Sequence, residues 1–163
     1  MPDMLVSLLR LQPIRPLLAE LRAKGILIRR PNPWELSDFR AFIEKHFSRS
    51  WADEASVAFA NKPISAFMAT HDEEIVGFAA YECTRRNFFG PMGVAEAYRG
   101  QGIGKALLLA CLYAMQDLGY VYAIIGGAGP VEFYAKAAGA IPIPIDEGKG
   151  IYPLKEEPRF QDY

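Results

Sequence analysis

Three glycines stand at alternate positions, Gly100, Gly102 and Gly104, inside the run Arg99-Gly-Gln-Gly-Ile-Gly104. An apolar segment closing at Val94 precedes them. The longest apolar stretch of the chain, Ala106 to Met115, follows. A strand, a glycine loop and a buried helix in that order leave a chain few folds. The glycines let a backbone approach a ligand without Cβ clashes. The amides that open the helix have no intrahelical partner, and the helix dipole lies behind them, so the segment predicts an anion site suited to phosphate or pyrophosphate. Two familiar phosphate motifs do not match. A P-loop needs Gly where Arg99 stands and Ser or Thr where Ala106 stands, and the dinucleotide fingerprint needs Gly-x-Gly-x-x-Gly within repeated parallel βαβ units.

The rest of the composition narrows the function by exclusion. With 163 residues the chain is about one domain, and 51% hydrophobic against 23% charged residues is the balance of a packed domain. Eighteen Lys and Arg against 19 Asp and Glu give a net charge of −1, so no basic excess points to nucleic acid or an anionic membrane surface. Cys83 and Cys111 are too few for a disulfide scaffold. His46 and His71 leave little for a metal cluster, and no metal is expected. His46 reads as a charge at a helix C-terminus and His71 as a turn residue. The N-terminus carries an acid where a signal peptide needs a base, and Arg10 breaks its apolar run. The apolar stretch at Ala106 is half of the ~20 residues a spanning helix needs. These features predict a cytoplasmic protein with reduced, inert cysteines.

Periodicity predicts an N-terminal helix over Leu8–Lys24 stopped by Gly25, a strand over Ile26–Arg30, and helices over Trp34–Phe47 and Trp51–Phe59, the second capped by Ser50. Strands follow over Ile64–Thr70, Ile75–Thr84 and Phe88–Val94. Their short polar turns imply antiparallel pairing. After the glycine loop come a helix over Gly104–Leu118, a strand over Tyr120–Ile125, a loop Gly126–Gly129 and a helix over Pro130–Ala138 with Gly139 past its end. Ile141–Ile145 and Ile151–Leu154 read as closing strands. The fold class is α+β: a mixed, mostly antiparallel sheet flanked by helices, with an extra N-terminal helix. The domain reading is a helical extension over 1–24, one domain over 25–155 and a polar tail over 156–163.

With the strand before it and the apolar helix after it, Arg99-x-x-Gly102-x-Gly104 resembles the acetyl-coenzyme A signature of the GNAT superfamily of N-acetyltransferases. Phe133-Tyr134-Ala-Lys136-Ala-Ala-Gly139-Ala140 is similar to a later segment of that family, in which a tyrosine on a short helix precedes Gly-Phe. The two lie about thirty residues apart with a strand between them. The resemblance covers roughly Gly25 to Leu154. It implies acetyl-coenzyme A as co-substrate and direct attack of a primary amine, on a small molecule or a peptide, on the thioester. It implies that the backbone amides of Gln101, Gly102, Ile103, Gly104 and Lys105 hold the pyrophosphate, with Arg99 and Gly100 in the same loop. Met92 and Val94 would pair with the pantetheine arm, the Val94 N–H would face the thioester carbonyl, and Tyr134 would protonate the leaving thiolate.

Several positions depart from the family pattern. Gly127 stands where many members have Asn, so later contacts to the coenzyme would come from the backbone of Gly126–Gly129. Ala140 stands where Phe is expected. Pro91 falls inside an inner strand, which normally excludes proline; in the family that strand splays from its neighbour, where a missing N–H is tolerated.

For the base, Glu82 is the carboxylate candidate and water the alternative; Glu82 also reads as a solvated strand residue. Trp34, Trp51 and Tyr152 are candidates to line an acceptor pocket, though core packing explains the tryptophans as well. Neither cysteine has a histidine near it in sequence, and there is no Gly-x-Ser-x-Gly elbow. Two other readings stay open: a non-catalytic acyl-coenzyme A-binding or regulatory module with the same fold, and one half of a larger assembly docked by the N-terminal helix. A homodimer is likewise left open, and the acceptor itself is not legible.

Overall fold

The computed structural model describes residues 1–152. Seven strands form one mixed sheet in the order β2-β3-β4-β5-β6-β1-β7. They are β1 (Met4–Ser7), β2 (Ile26–Arg29), β3 (Ala66–His71), β4 (Glu74–Tyr81), β5 (Phe88–Val94), β6 (Tyr122–Ile125) and β7 (Ile141–Pro142). Five α-helices flank it: α1 (Arg15–Ala23), α2 (Leu36–His46), α3 (Arg49–Ser56), α4 (Ile103–Asp117) and α5 (Val131–Ala138). All pairings are antiparallel except β5 with β6. The α+β class and the mostly antiparallel sheet predicted from the sequence are present.

Apolar side chains cover both sheet faces. On one side α4, apolar over most of its length, packs with Leu21 of α1 and with Tyr134 and Ala137 of α5. On the other, Phe39, Phe42 and Ile43 of α2 and Ala52 and Ala55 of α3 pack on Phe78 of β4. The sheet therefore has an α4 face and an α2–α3 face, which fixes from which side each helix reaches the site. No helix among the described residues is long and apolar enough to cross a membrane.

The N-terminal segment differs from the sequence reading. Its helix begins at Arg15, not Leu8, and Met4–Ser7 is a strand between β6 and β7. Met4, Val6 and Leu8 are each 0% exposed while Leu5 and Ser7 are half-buried. That is the two-residue alternation of a strand with one face in a core. The helical spacing that follows obscured it. The cap of α3 is Ser48, whose hydroxyl accepts from the Trp51 N–H at 3.2 Å, in place of Ser50. The closing strand predicted over Ile141–Ile145 is the pair Ile141–Pro142. Of Ile151–Leu154 only the first two residues are described, in a bend and turn, and the tail over 156–163 lies outside the described residues.

Candidate active site

β5 and β6 pair only through Phe88–Ile124 and Phe89–Ile125. Beyond Phe89 the two strands part, and β6 ends at Ile125. The gap is a cleft of about 810 Å³ that passes between the two sheet faces. Gly90 to Val94 line one arm; Ile125 to Gly127, then Gly129 and Pro130, line the other. Ile103, Gly104 and Lys105 reach it from α4, Tyr134 from α5, and Phe47 and Trp51 from the α2–α3 face.

Strand register decides which way the β5 backbone points. The Ala95 N–H donates to the Val76 carbonyl at 2.8 Å. Hydrogen-bonded pairs recur every second residue in an antiparallel ladder. Phe78–Gly93 is then a bonded pair, while Gly77–Val94 and Ala79–Met92 are not. The N–H and C=O groups of Met92 and Val94 therefore turn away from β4, toward the gap. The Val94 carbonyl accepts from Arg99 Nε at 3.1 Å, which ties the loop to the strand end. Pro91 falls where the β4–β5 register shifts, between the pairs Ala79–Met92 and Tyr81–Phe89. The absent N–H is thus accommodated against β4, not at the gap as the sequence reading had it.

The glycine loop delivers the predicted donors. Gly100 and Gly102 have φ of +80° and +90°, the left-handed region that glycine enters without strain. The first α4 amide with a helical acceptor is that of Ala106, bonded to the Gly102 carbonyl at 3.0 Å. The amides from Gly100 to Lys105 donate to no protein group among the described residues. Gly102 supplies no capping side chain. A Cβ at Gly104 would stand 3.3 Å from Met92 Cε and 3.6 Å from Phe133 Cζ, in the space where α4 and the cleft meet. A row of unpartnered amides with a glycine floor, flanked by Arg99 and Lys105, fits a diphosphate and the arm attached to it.

Tyr134 is 7% exposed and lines the cleft, held edge-to-face against Phe89 (centroids 6.2 Å apart) and Phe133 (5.1 Å). Burial pushes its phenol up to about 12, so it keeps its proton beyond the pH at which an ordinary tyrosine ionises.

Most sequence-predicted residues come together here: Met92, Val94, Arg99, Gly100, Gly102, Ile103, Gly104, Lys105, Gly127 and Tyr134 all line the cleft. Gln101 stays in the loop but does not line it; its side-chain amide donates to the Tyr98 carbonyl at 3.5 Å. Glu82 is elsewhere. It has φ +59°, and its carboxylate accepts from the Asn87 N–H at 2.5 Å and from the Tyr120 hydroxyl at 3.1 Å. It closes the β4–β5 turn and does not face the cleft.

The Gly127 amide is also occupied, donating to Asp3 Oδ1 at 2.8 Å, while the Ala128 amide donates to the Pro2 carbonyl at 2.8 Å. The N-terminal segment therefore uses two of the backbone donors that the sequence reading assigned to the coenzyme. No local signal joins residues 2 and 3 to residues 127 and 128. Trp51 and Tyr152 line the cleft; Trp34, 80% exposed, does not. Phe47 lines it too and was not foreseen. Cys83 and Cys111 are outside it, the first pushed up to about 12 and the second well above its ordinary value by burial.

Residues 63–137 match the acetyltransferase (GNAT) domain family. No curated protein matches the chain. Among solved structures, the glucosamine N-acetyltransferase region of a fungal multi-domain beta-N-acetylglucosaminidase superposes with TM-score 0.70 at 14% identity over 87% of this chain. A GCN5-related N-acetyltransferase from Sphaerobacter thermophilus does so with TM-score 0.66 at 19% identity, also over 87%. This chain spans only 19% and 48% of those two proteins. A GNAT family acetyltransferase from Brucella melitensis, solved in complex with acetyl-CoA, gives TM-score 0.53 at 19% identity, covering 77% of this chain and 93% of its own. The chain thus shares the fold of these acetyltransferases, and residues 63–137 match the GNAT acetyltransferase domain model.

Proposed function

We propose that the protein transfers the acetyl group of acetyl-coenzyme A to a primary amine by direct attack on the thioester. One observation carries this reading: a cleft between β5 and β6 that has free amides at its α4 end and a buried, protonated tyrosine inside. Acetyl-coenzyme A supplies the thioester, whose carbonyl carbon bonds to the amine nitrogen as the C–S bond breaks.

The chain's own groups divide the remaining work. The amides of Gly100 to Lys105 hold the pyrophosphate, with Arg99 and Lys105 adding charge. The Met92 and Val94 backbone aligns the pantetheine arm. The Val94 N–H faces the oxygen on which negative charge develops. Tyr134 gives its proton to the departing sulfur and is reprotonated from solvent. Among the described residues no carboxylate or histidine lines the cleft, so the amine enters neutral and its proton leaves to water. The half-buried Cys83 and the buried Cys111 both lie outside the cleft and give no support to an acyl-enzyme.

Calorimetry with acetyl-coenzyme A, followed by free-thiol release with a panel of amines, tests the reading. Binding with thiol release supports it. Binding without release from any amine favours the non-catalytic acyl-coenzyme A module. No binding at millimolar ligand overturns both.

A further inference from the structure

Away from the glycine loop, each arm of the cleft carries an aromatic ring packed against a glycine. On the β5 arm Phe47 rests on Gly93, where a Cβ would stand 2.3 Å from Phe47 Cζ. Phe47 is stacked on Trp51, with centroids 5.4 Å apart and planes inclined by 22°. On the β6 arm Tyr152 turns a ring edge to Gly127, where a Cβ would stand 2.4 Å from Tyr152 Cδ2 and 2.6 Å from Cε2. The Tyr152 hydroxyl donates to Glu54 Oε1 at 2.8 Å. Glu54 follows Trp51 by three residues on α3, so both project from one side of that helix. Tyr152 thus reaches from the β6 arm to the helix that carries Trp51, and the rings flank one mouth on the sheet face opposite α4.

Charge in the cleft is one-sided. Among its described lining residues the charged side chains are Arg99 and Lys105, both at the glycine-loop end. Among the described residues no carboxylate lines it. Glu54, which anchors Tyr152, also accepts from the Thr84 hydroxyl. Among the described lining residues an acceptor with a second ammonium group would find no anionic side chain to offset that group's lost hydration. A flat apolar body would find stacking surfaces on both sides.

We propose that the acceptor is a primary amine on a flat apolar body, in the simplest case an aromatic ring, seated between the Phe47–Trp51 pair and Tyr152. Polycationic amines are disfavoured. This inference rests on the acetyl-transfer reading above.

The test titrates 2-phenylethylamine and spermidine into protein saturated with coenzyme A, and in parallel measures acetyl transfer to each. The expected result is saturable binding of 2-phenylethylamine and transfer to it at a kcat/KM at least about tenfold above that for spermidine. Trp51→Ala weakens 2-phenylethylamine by about tenfold, Trp51→Phe restores part of the loss, and Trp34→Ala changes neither amine. Preference for spermidine, or absence of 2-phenylethylamine binding to the coenzyme-loaded protein, overturns the inference alone. So does 2-phenylethylamine binding that is unaltered in a Trp51→Ala protein whose circular dichroism reports the native fold. If Trp51→Ala does not fold, Trp51→Phe alone must still lower the affinity for 2-phenylethylamine more than that for spermidine. Failure of coenzyme A itself to bind overturns the acetyl-transfer reading and this inference with it.

Discussion

At the α4 end of the cleft, the unpartnered backbone amides come from one run of consecutive residues, Gly100 to Lys105. At the opposite mouth the lining comes from rings at positions 47, 51 and 152, drawn from three segments and acting through side chains. The first end rests on backbone geometry that glycine permits and most residues forbid. The second rests on ring packing, which many side-chain combinations supply. A local run can be read as a motif, whereas a surface assembled from distant positions exists only once the chain has folded. Glycine serves both ends for different reasons: at 100 and 102 it allows positive φ, and at 93 and 127 it lets a ring come close to the backbone.

The largest expected effect is at the amide end. Gly104→Glu puts volume and a carboxylate beside the unpartnered amides, and acetyl-coenzyme A affinity should fall more than about a hundredfold by calorimetry. Retained affinity would break the assignment of that end.

Tyr134→Phe lies between the ends. It keeps the ring contacts and removes the proton donor, so kcat should drop by about a hundredfold while the KM for acetyl-coenzyme A barely moves. Burial pushes the wild-type phenol up to about 12. It stays protonated through pH 10, and kcat should show no alkaline fall up to that point. Above pH 10 the unfolded chain ionises this tyrosine first and binds fewer protons than the native state. Native stability should therefore decline from about pH 10 toward 12.

At the aromatic end, Gly93→Ala forces Phe47 off the strand. It should cost about 1–3 kcal/mol, seen as a melting temperature lower by roughly 3–10 °C, and raise the KM for the amine more than that for the coenzyme. Equal changes in both constants would show that the two ends are not separable. The smallest effect is expected for Glu82→Gln. Its carboxylate is engaged with Asn87 and Tyr120 away from the cleft, so kcat should stay within about twofold. A drop of tenfold or more would restore Glu82 as the base.

Much of the fold is legible because each element carries its own periodicity. The strands at 26–29 and 88–94 and the helix stopped at Gly139 stand close to where spacing and glycine place them. Strand β1 was missed although Met4, Val6 and Leu8 alternate, since four residues beside a longer helical pattern give a weak local signal. Glu82 looked plausible because strand alternation places a residue on a face, but its positive φ turns it into the hairpin. Asp3 and Pro2 claim the amides of Gly127 and Ala128 through contacts more than 120 residues apart in sequence, for which no spacing rule exists.

By itself the sequence determined the α+β class, the anion-binding loop and the tyrosine on its short helix. Each of these depends on residues adjacent in the chain, whose conformational preferences act locally. Tertiary structure decided that β5 and β6 part after two pairs, that Tyr134 is buried enough to push its phenol up, and that Phe47, Trp51 and Tyr152 meet at one mouth. Those outcomes depend on how distant segments pack. Packing sets desolvation and ring contact, and neither can be computed from neighbours in sequence.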